Sequence, residues 1–150
     1  MLPIPPDEEG VAYLRAYGGR LVGILRWGEL DQLWERVLAV PAGWYVYAVG
    51  EPPPAEVAAP ERLQEFVRSV DQLLRKEHDE NYCGIVYADD RDAPSFVKIY
   101  DPGNLGAVCG TTGVSTLPGW TLSRARPVDL PGAFHAPAGR RRWWQHWFDR

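Results

Sequence analysis

Read along the chain, apolar positions change their spacing several times, and each change predicts an element. Asp7–Tyr17 opens with acids where a helix N-terminus favours negative charge, and Gly18-Gly19 ends it, so a short helix is expected there. Leu21–Trp27 is an apolar run that fits either a buried strand or a continued helix. From Gly28, the residues Leu30, Leu33, Trp34, Val37 and Leu38 recur at helical spacing until Pro41. Trp44–Val49 is then rich in aromatic and β-branched residues and predicts a strand.

Residues 51–60 (EPPPAEVAAP) form an extended, Pro-rich connector, and Pro60 suits the first turn of the helix that follows. In that helix Leu63, Phe66, Val67, Val70, Leu73 and Leu74 make one apolar stripe, and Glu61, Arg62, Glu65, Arg68, Asp71 and Arg75 take other positions. Such a helix lays one face on a sheet. Asn81–Ala88 and Ser95–Tyr100 read as strands joined by the polar hairpin connection 89–94, and Trp120–Arg124 reads as another. Together these elements predict a single α+β domain over residues 1–150. Its expected form is an antiparallel sheet of about four strands with two main helices packed on one face. About 50 residues ahead of the connector would make a poor core alone, which argues against a domain boundary there.

Composition narrows the class without naming a function. With 45% hydrophobic and 24% charged residues in 150, the chain has the make-up of a folded globular domain. Residues 1–120 hold ten basic and eighteen acidic groups, whereas residues 121–150 hold six basic and two acidic ones. An acidic body argues against nucleic acid as the partner. Two cysteines do not make a disulfide framework. No basic-then-apolar leader opens the chain and no apolar window has the length of a membrane span, so a cytoplasmic location is expected. The 14 Arg against 2 Lys, with abundant Ala, Gly and Pro, points to a GC-rich bacterial source.

Candidate chemistry gathers in the connection between Asp101 and Trp120. Asp101-Pro102-Gly103-Asn104 and Leu117-Pro118-Gly119-Trp120 both fit type II turns, with glycine at the third position. Between them Asn104, Thr111, Thr112 and Ser115 offer polar side chains, and Gly106, Gly110 and Gly113 free the backbone. Loop amides of this kind can form an anion-binding nest for a small anionic ligand. Neither GxxxxGK[ST] nor GxGxxG is present, so a nucleotide site of those types is not expected, nor any cofactor. A structural Ω-like loop covering a sheet edge is the competing and favoured reading.

Cys109 is a candidate nucleophile or redox thiol, with Asp101 and one of His78, His135 or His146, His135 first among them, as partners. Free cysteines more often serve as small buried hydrophobes, and that reading is preferred for Cys109 and more firmly for Cys83. Metal ligation is not expected: HExxH and CxxC are absent, the aspartates at 89, 90 and 92 lack an EF-hand register, and His78 suits a helix C-cap.

Finally, residues 139–150 (GRRRWWQHWFDR) form a basic, aromatic segment in which Trp143, Trp144 and Trp147 share one helical face behind Arg142. Aromatics in that number make an exposed patch that monomers rarely carry, which favours self-docking, a homodimer contact or a protein partner over lipid or nucleic acid. The leading expectation is a non-enzymatic binding or adaptor protein acting through the 102–118 loop and Arg142, Trp143, Trp144 and Trp147. A small enzyme using Cys109 and a binder of anionic metabolites are the alternatives.

Overall fold

A computed structural model describes residues 7–78, 80–103 and 117–134. In chain order the elements are α1 (Glu8–Gly18), β1 (Val22–Ile24), α2 (Trp27–Ala39), β2 (Tyr45–Ala48), α3 (Pro60–Glu77), β3 (Val86–Ala88), β4 (Phe96–Ile99), β5 (Trp120–Ser123) and α4 (Leu130–Phe134). The strands form one antiparallel sheet in the order β1-β3-β4-β5-β2. The α+β architecture read from the sequence is the one observed, with five strands where about four were expected. The fifth is Val22–Ile24, a three-residue edge strand in the run that fitted either element.

Local sequence explains each boundary. The Asp7 carboxylate accepts the Gly10 N–H at 2.8 Å and caps α1. Glu29 reaches back to the N–H groups of Arg26 and Leu25 at 3.0 and 3.2 Å, satisfying donors that the first turn of α2 leaves open. Pro60 occupies the first turn of α3, where its missing N–H costs nothing. His78 is the C-cap of that helix, its N–H donating to Leu74 O at 2.9 Å.

One expected strand is shortened. The run 81–88 is extended only over β3, because Gly84 adopts φ +69° and turns the chain out of the strand path. The Cys83 and Gly84 N–H groups still donate to Leu25 and Ile24, so this turn stays fastened to the end of β1.

Both faces of the sheet are covered. On one face Ile24, Val86, Val97, Ile99 and Leu122 meet the buried stripes of α2 (Leu30, Leu33, Val37) and α3 (Leu63, Val67, Val70, Leu74). These are the two main helices expected on one face. On the other, Tyr47 and Phe96 pack with Tyr13 and Leu14 of α1 and Leu130 of α4. The alternation along β4 accounts for the division, since Phe96 and Val97 must point to opposite sides. Arg124 ties the far end together: its guanidinium lies 4.0 Å from the Trp44 ring centroid and donates to the carbonyls of Val40 and Ala42.

Candidate functional site

The long connection from β4 to β5 is described at its two ends, and those ends are clamped to each other. Gly119 N–H donates to Ile99 O at 2.8 Å, and Gly119 O accepts the Val49 N–H at 2.9 Å. Gly119 lies so close to Asp101 that a Cβ there would stand 3.0 Å from the Asp101 Cβ. Asp101 Oδ1 accepts the Gly103 N–H at 2.8 Å and winds Pro102-Gly103 into a short 3₁₀ turn. Ends that meet in this way are the geometry of an Ω-loop stem.

Neither glycine adopts the positive φ that type II turns require; among the described residues that conformation belongs to Gly43, Gly50 and Gly84. The Asx-type bond from Asp101 to Gly103 replaces the first expected turn. Pairing of Gly119 with both Ile99 and Val49 extends the sheet ladder and replaces the second.

Of the residues selected from sequence, Asp101 is therefore a stem residue with one carboxylate oxygen committed to the turn. Asn104, Cys109, Thr111, Thr112, Ser115, His135, Arg142, Trp143, Trp144 and Trp147 lie outside the described residues, as does His146. Cys83 is fully buried, and burial pushes its thiol up from the ordinary value, as suits a core cysteine. Two of the three carboxylates of the acidic turn are occupied by backbone. Asp89 accepts the N–H groups of Asp90, Ser95 and Phe96 as well as the Ser95 hydroxyl, and Asp90 accepts those of Asp92 and Ala93. Among the described residues no group of three His, Cys, Asp or Glu side chains is placed to hold a metal ion.

Beside the stem the structure gathers a cluster that the sequence reading passed over. Residues Gly23, Tyr87, Lys98, Thr121 and Tyr47 stand opposite one another in register, one from each strand, across the face that α1 partly covers. The Lys98 ammonium sits 4.2 Å from the Tyr17 ring centroid and 5.9 Å from that of Tyr100, and the Tyr100 and Tyr87 rings meet edge to face at 5.8 Å. Burial pulls the Lys98 amine below the ordinary lysine value and pushes the Tyr17 and Tyr100 hydroxyls above theirs. Among the described residues Lys98 forms no ion pair and donates to no oxygen. A signal existed in the sequence: a lysine inside the apolar strand FVKI, in a chain with only two lysines.

No family model, no curated protein and no solved structure matches this chain.

Two further features complete the surface. An open groove of about 610 Å³ runs between β2, the Pro-rich connector and α3, floored by Val46, Pro54, Ala58 and Phe66 and rimmed by Glu56 and Arg62. At the end of α3, Arg75 bridges Asp71 and Asp31 at 3.0 and 2.6 Å and lies over the Trp27 ring at 5.1 Å. His78 packs edge-on between Trp27 and Tyr82, with its Nε2 buried and without a hydrogen-bond partner. This junction joins helices to the sheet and reads as structural. No helix among the described residues is long and apolar enough to cross a membrane.

Proposed function

We propose that this chain is a non-enzymatic binding or adaptor protein of the bacterial cytoplasm. Its contact surface is the β4–β5 connection together with the basic aromatic segment 139–150. The observation that carries this reading is the clamped stem: Asp101, Ile99, Val49 and Gly119 fix both ends of the connection against the sheet. A segment anchored at both ends pays less ordering entropy when a partner engages it, which favours affinity. The supply of Trp and Arg in 139–150 matches the residue types that dominate binding energy at interfaces. A protein partner or a second copy of the chain fits these groups better than nucleic acid, given the acidic body.

The test is a comparative capture. The full chain and its Arg142→Ala and Trp144→Ala variants, each shown to melt at the wild-type temperature, are immobilised side by side. Proteins retained by the wild type are identified by mass spectrometry, and sedimentation of each chain reads self-association. The proposal expects a specific retained species, or a dimer, that both variants lose. Equal recovery and equal sedimentation for all three chains overturn it.

A further inference from the structure

The apolar stripe of α3 is wider than the sheet it covers. Leu63, Val67, Val70 and Leu74 are buried, whereas Phe66 of the same stripe is only partly covered. Phe66 borders the open groove of about 610 Å³ between α3, the Pro-rich connector and β2, where Val46, Pro54 and Ala58 are also partly exposed. Because β2 is an edge strand, no further strand among the described residues closes this side of the sheet. Grooves of about 300–1,000 Å³ take drug-sized groups, and a pair of indole rings is no larger.

The rim of the groove is acidic. Between residues 51 and 69 the connector and α3 hold Glu51, Glu56, Glu61 and Glu65 against Arg62 and Arg68. Arg62 meets Glu65 at 3.7 Å with both side chains exposed, an ion pair that contributes little. Glu56 has no ion-pair partner among the described residues. An occupant matched to these walls is therefore aromatic and cationic.

The chain itself supplies such an occupant. Residues 139–150 carry Arg140, Arg141, Arg142 and Arg150 against Asp149 alone, beside three tryptophans and a phenylalanine. The preceding helix, α4, is fastened to β2, since the Leu130 N–H donates to the Tyr47 hydroxyl at 3.2 Å. Tyr47 follows Val46 directly, and consecutive residues of a strand point to opposite faces. The segment thus sets out from the edge strand whose other face floors the groove. Residues 135–150 span up to about 50 Å when extended, against roughly 10 Å between packed layers, so reach does not limit the contact.

We propose that segment 139–150 docks in this groove of its own chain. Its tryptophans cover Val46, Ala58 and Phe66, and its arginines face Glu56 and Glu65. Docking removes from water an aromatic surface that monomers rarely leave open. The contact does not rest on the partner reading above, but a partner that uses the same tryptophans has to compete with the groove for them.

The experiment uses the full chain labelled with ¹³C and ¹⁵N. Its seven tryptophans give seven indole N–H signals, and Trp143→Phe, Trp144→Phe and Trp147→Phe, made one at a time, identify those of the segment. The proposal expects nuclear Overhauser contacts from at least one of these three indoles to the methyl groups of Val46 or Ala58. It also expects those contacts to fade in a Glu56→Arg/Glu65→Arg chain, whose two changes lie on the exposed rim. A mixture of labelled and unlabelled chains separates the occupants. Contacts seen between chains put a second copy in the groove and overturn the proposal, and so does the absence of any such contact. Contacts at full strength in the charge-reversed chain remove the ionic match that selects this occupant. Partner capture that succeeds without these contacts strikes the groove docking and leaves the partner surface standing.

Discussion

The hydroxyl of Tyr13 in α1 meets the hydroxyl of Thr121 in β5 at 2.8 Å, fully buried, across 108 residues of sequence. This bond is the polar centre of an otherwise apolar contact between α1 and the sheet, where Tyr13 also meets Phe96 and Tyr47 edge to face. Removing either hydroxyl strands the other in an apolar setting. Tyr13→Phe and Thr121→Val are each expected to lower stability by about 1–2 kcal/mol. The double variant is expected to lose less than the sum, by at least ~0.5 kcal/mol, because the pair acts as one unit. Urea denaturation of the four chains measures this directly. Strict additivity means that the two hydroxyls are not coupled.

Alkaline pH acts on the same face. Burial holds the hydroxyls of Tyr13, Tyr17 and Tyr47 above their ordinary value near 10. Above that pH the unfolded chain has released protons that the folded chain still keeps, so stability falls as pH rises. The Lys98 amine, lowered by burial, has the opposite sign: it favours the fold as pH climbs toward 10.5. Three raised tyrosines, Tyr13 and Tyr17 strongly so, outweigh one lowered lysine. The share of tyrosinate absorbance that comes from Tyr13, Tyr17 and Tyr47 is therefore expected to rise together with loss of the far-ultraviolet circular dichroism, above pH 10. Ionisation of all seven tyrosines before any unfolding contradicts the burial of these rings.

Tyr87 lies across Gly23, leaving 3.3 Å to where a Cβ would stand. Gly23→Ala is expected to push the ring off β1 and cost about 1 kcal/mol, the low end for overpacking because β1 is an edge strand. In a Tyr87→Ala background the same substitution is expected to cost little, since the ring is gone. An equal cost in both backgrounds places the effect in the backbone instead.

Arg124 combines a cation–π contact on Trp44 with bonds to two carbonyls beyond the end of α2. Its planar fork serves both roles at once, and lysine cannot. Arg124→Ala is expected to lower the urea midpoint by the equivalent of about 1–2 kcal/mol. Arg124→Lys is expected to recover less than half of that loss. Full recovery by lysine makes charge alone responsible.

The fold was most legible where one periodicity ran long enough to be unambiguous. The α3 stripe is the plainest case: Leu63, Val67, Val70 and Leu74 are the residues buried. β1 was not decided, because three residues with Gly23 at their centre show no alternation. α4 was missed, since LPGAF carries two helix breakers. It forms where Ala133 N–H donates to Asp129 O at 3.0 Å and the Tyr47 hydroxyl accepts the Leu130 N–H at 3.2 Å. The Lys98 cluster needed the sheet register, which places Tyr87 opposite Lys98 through contacts no local spacing encodes. The loop was recognisable from its turn residues, although the bonds that close its stem differ from the turns they suggested.

The β4–β5 connection is held at a fixed base. Amide hydrogen exchange on the full chain, read at Val49, Gly103 and Gly119, tests that base most directly. Protection at Val49 and Gly119 equal to that of the β4 and β5 amides, with intermediate protection at Gly103, is the predicted result. Exchange at all three as fast as in an unstructured peptide contradicts it.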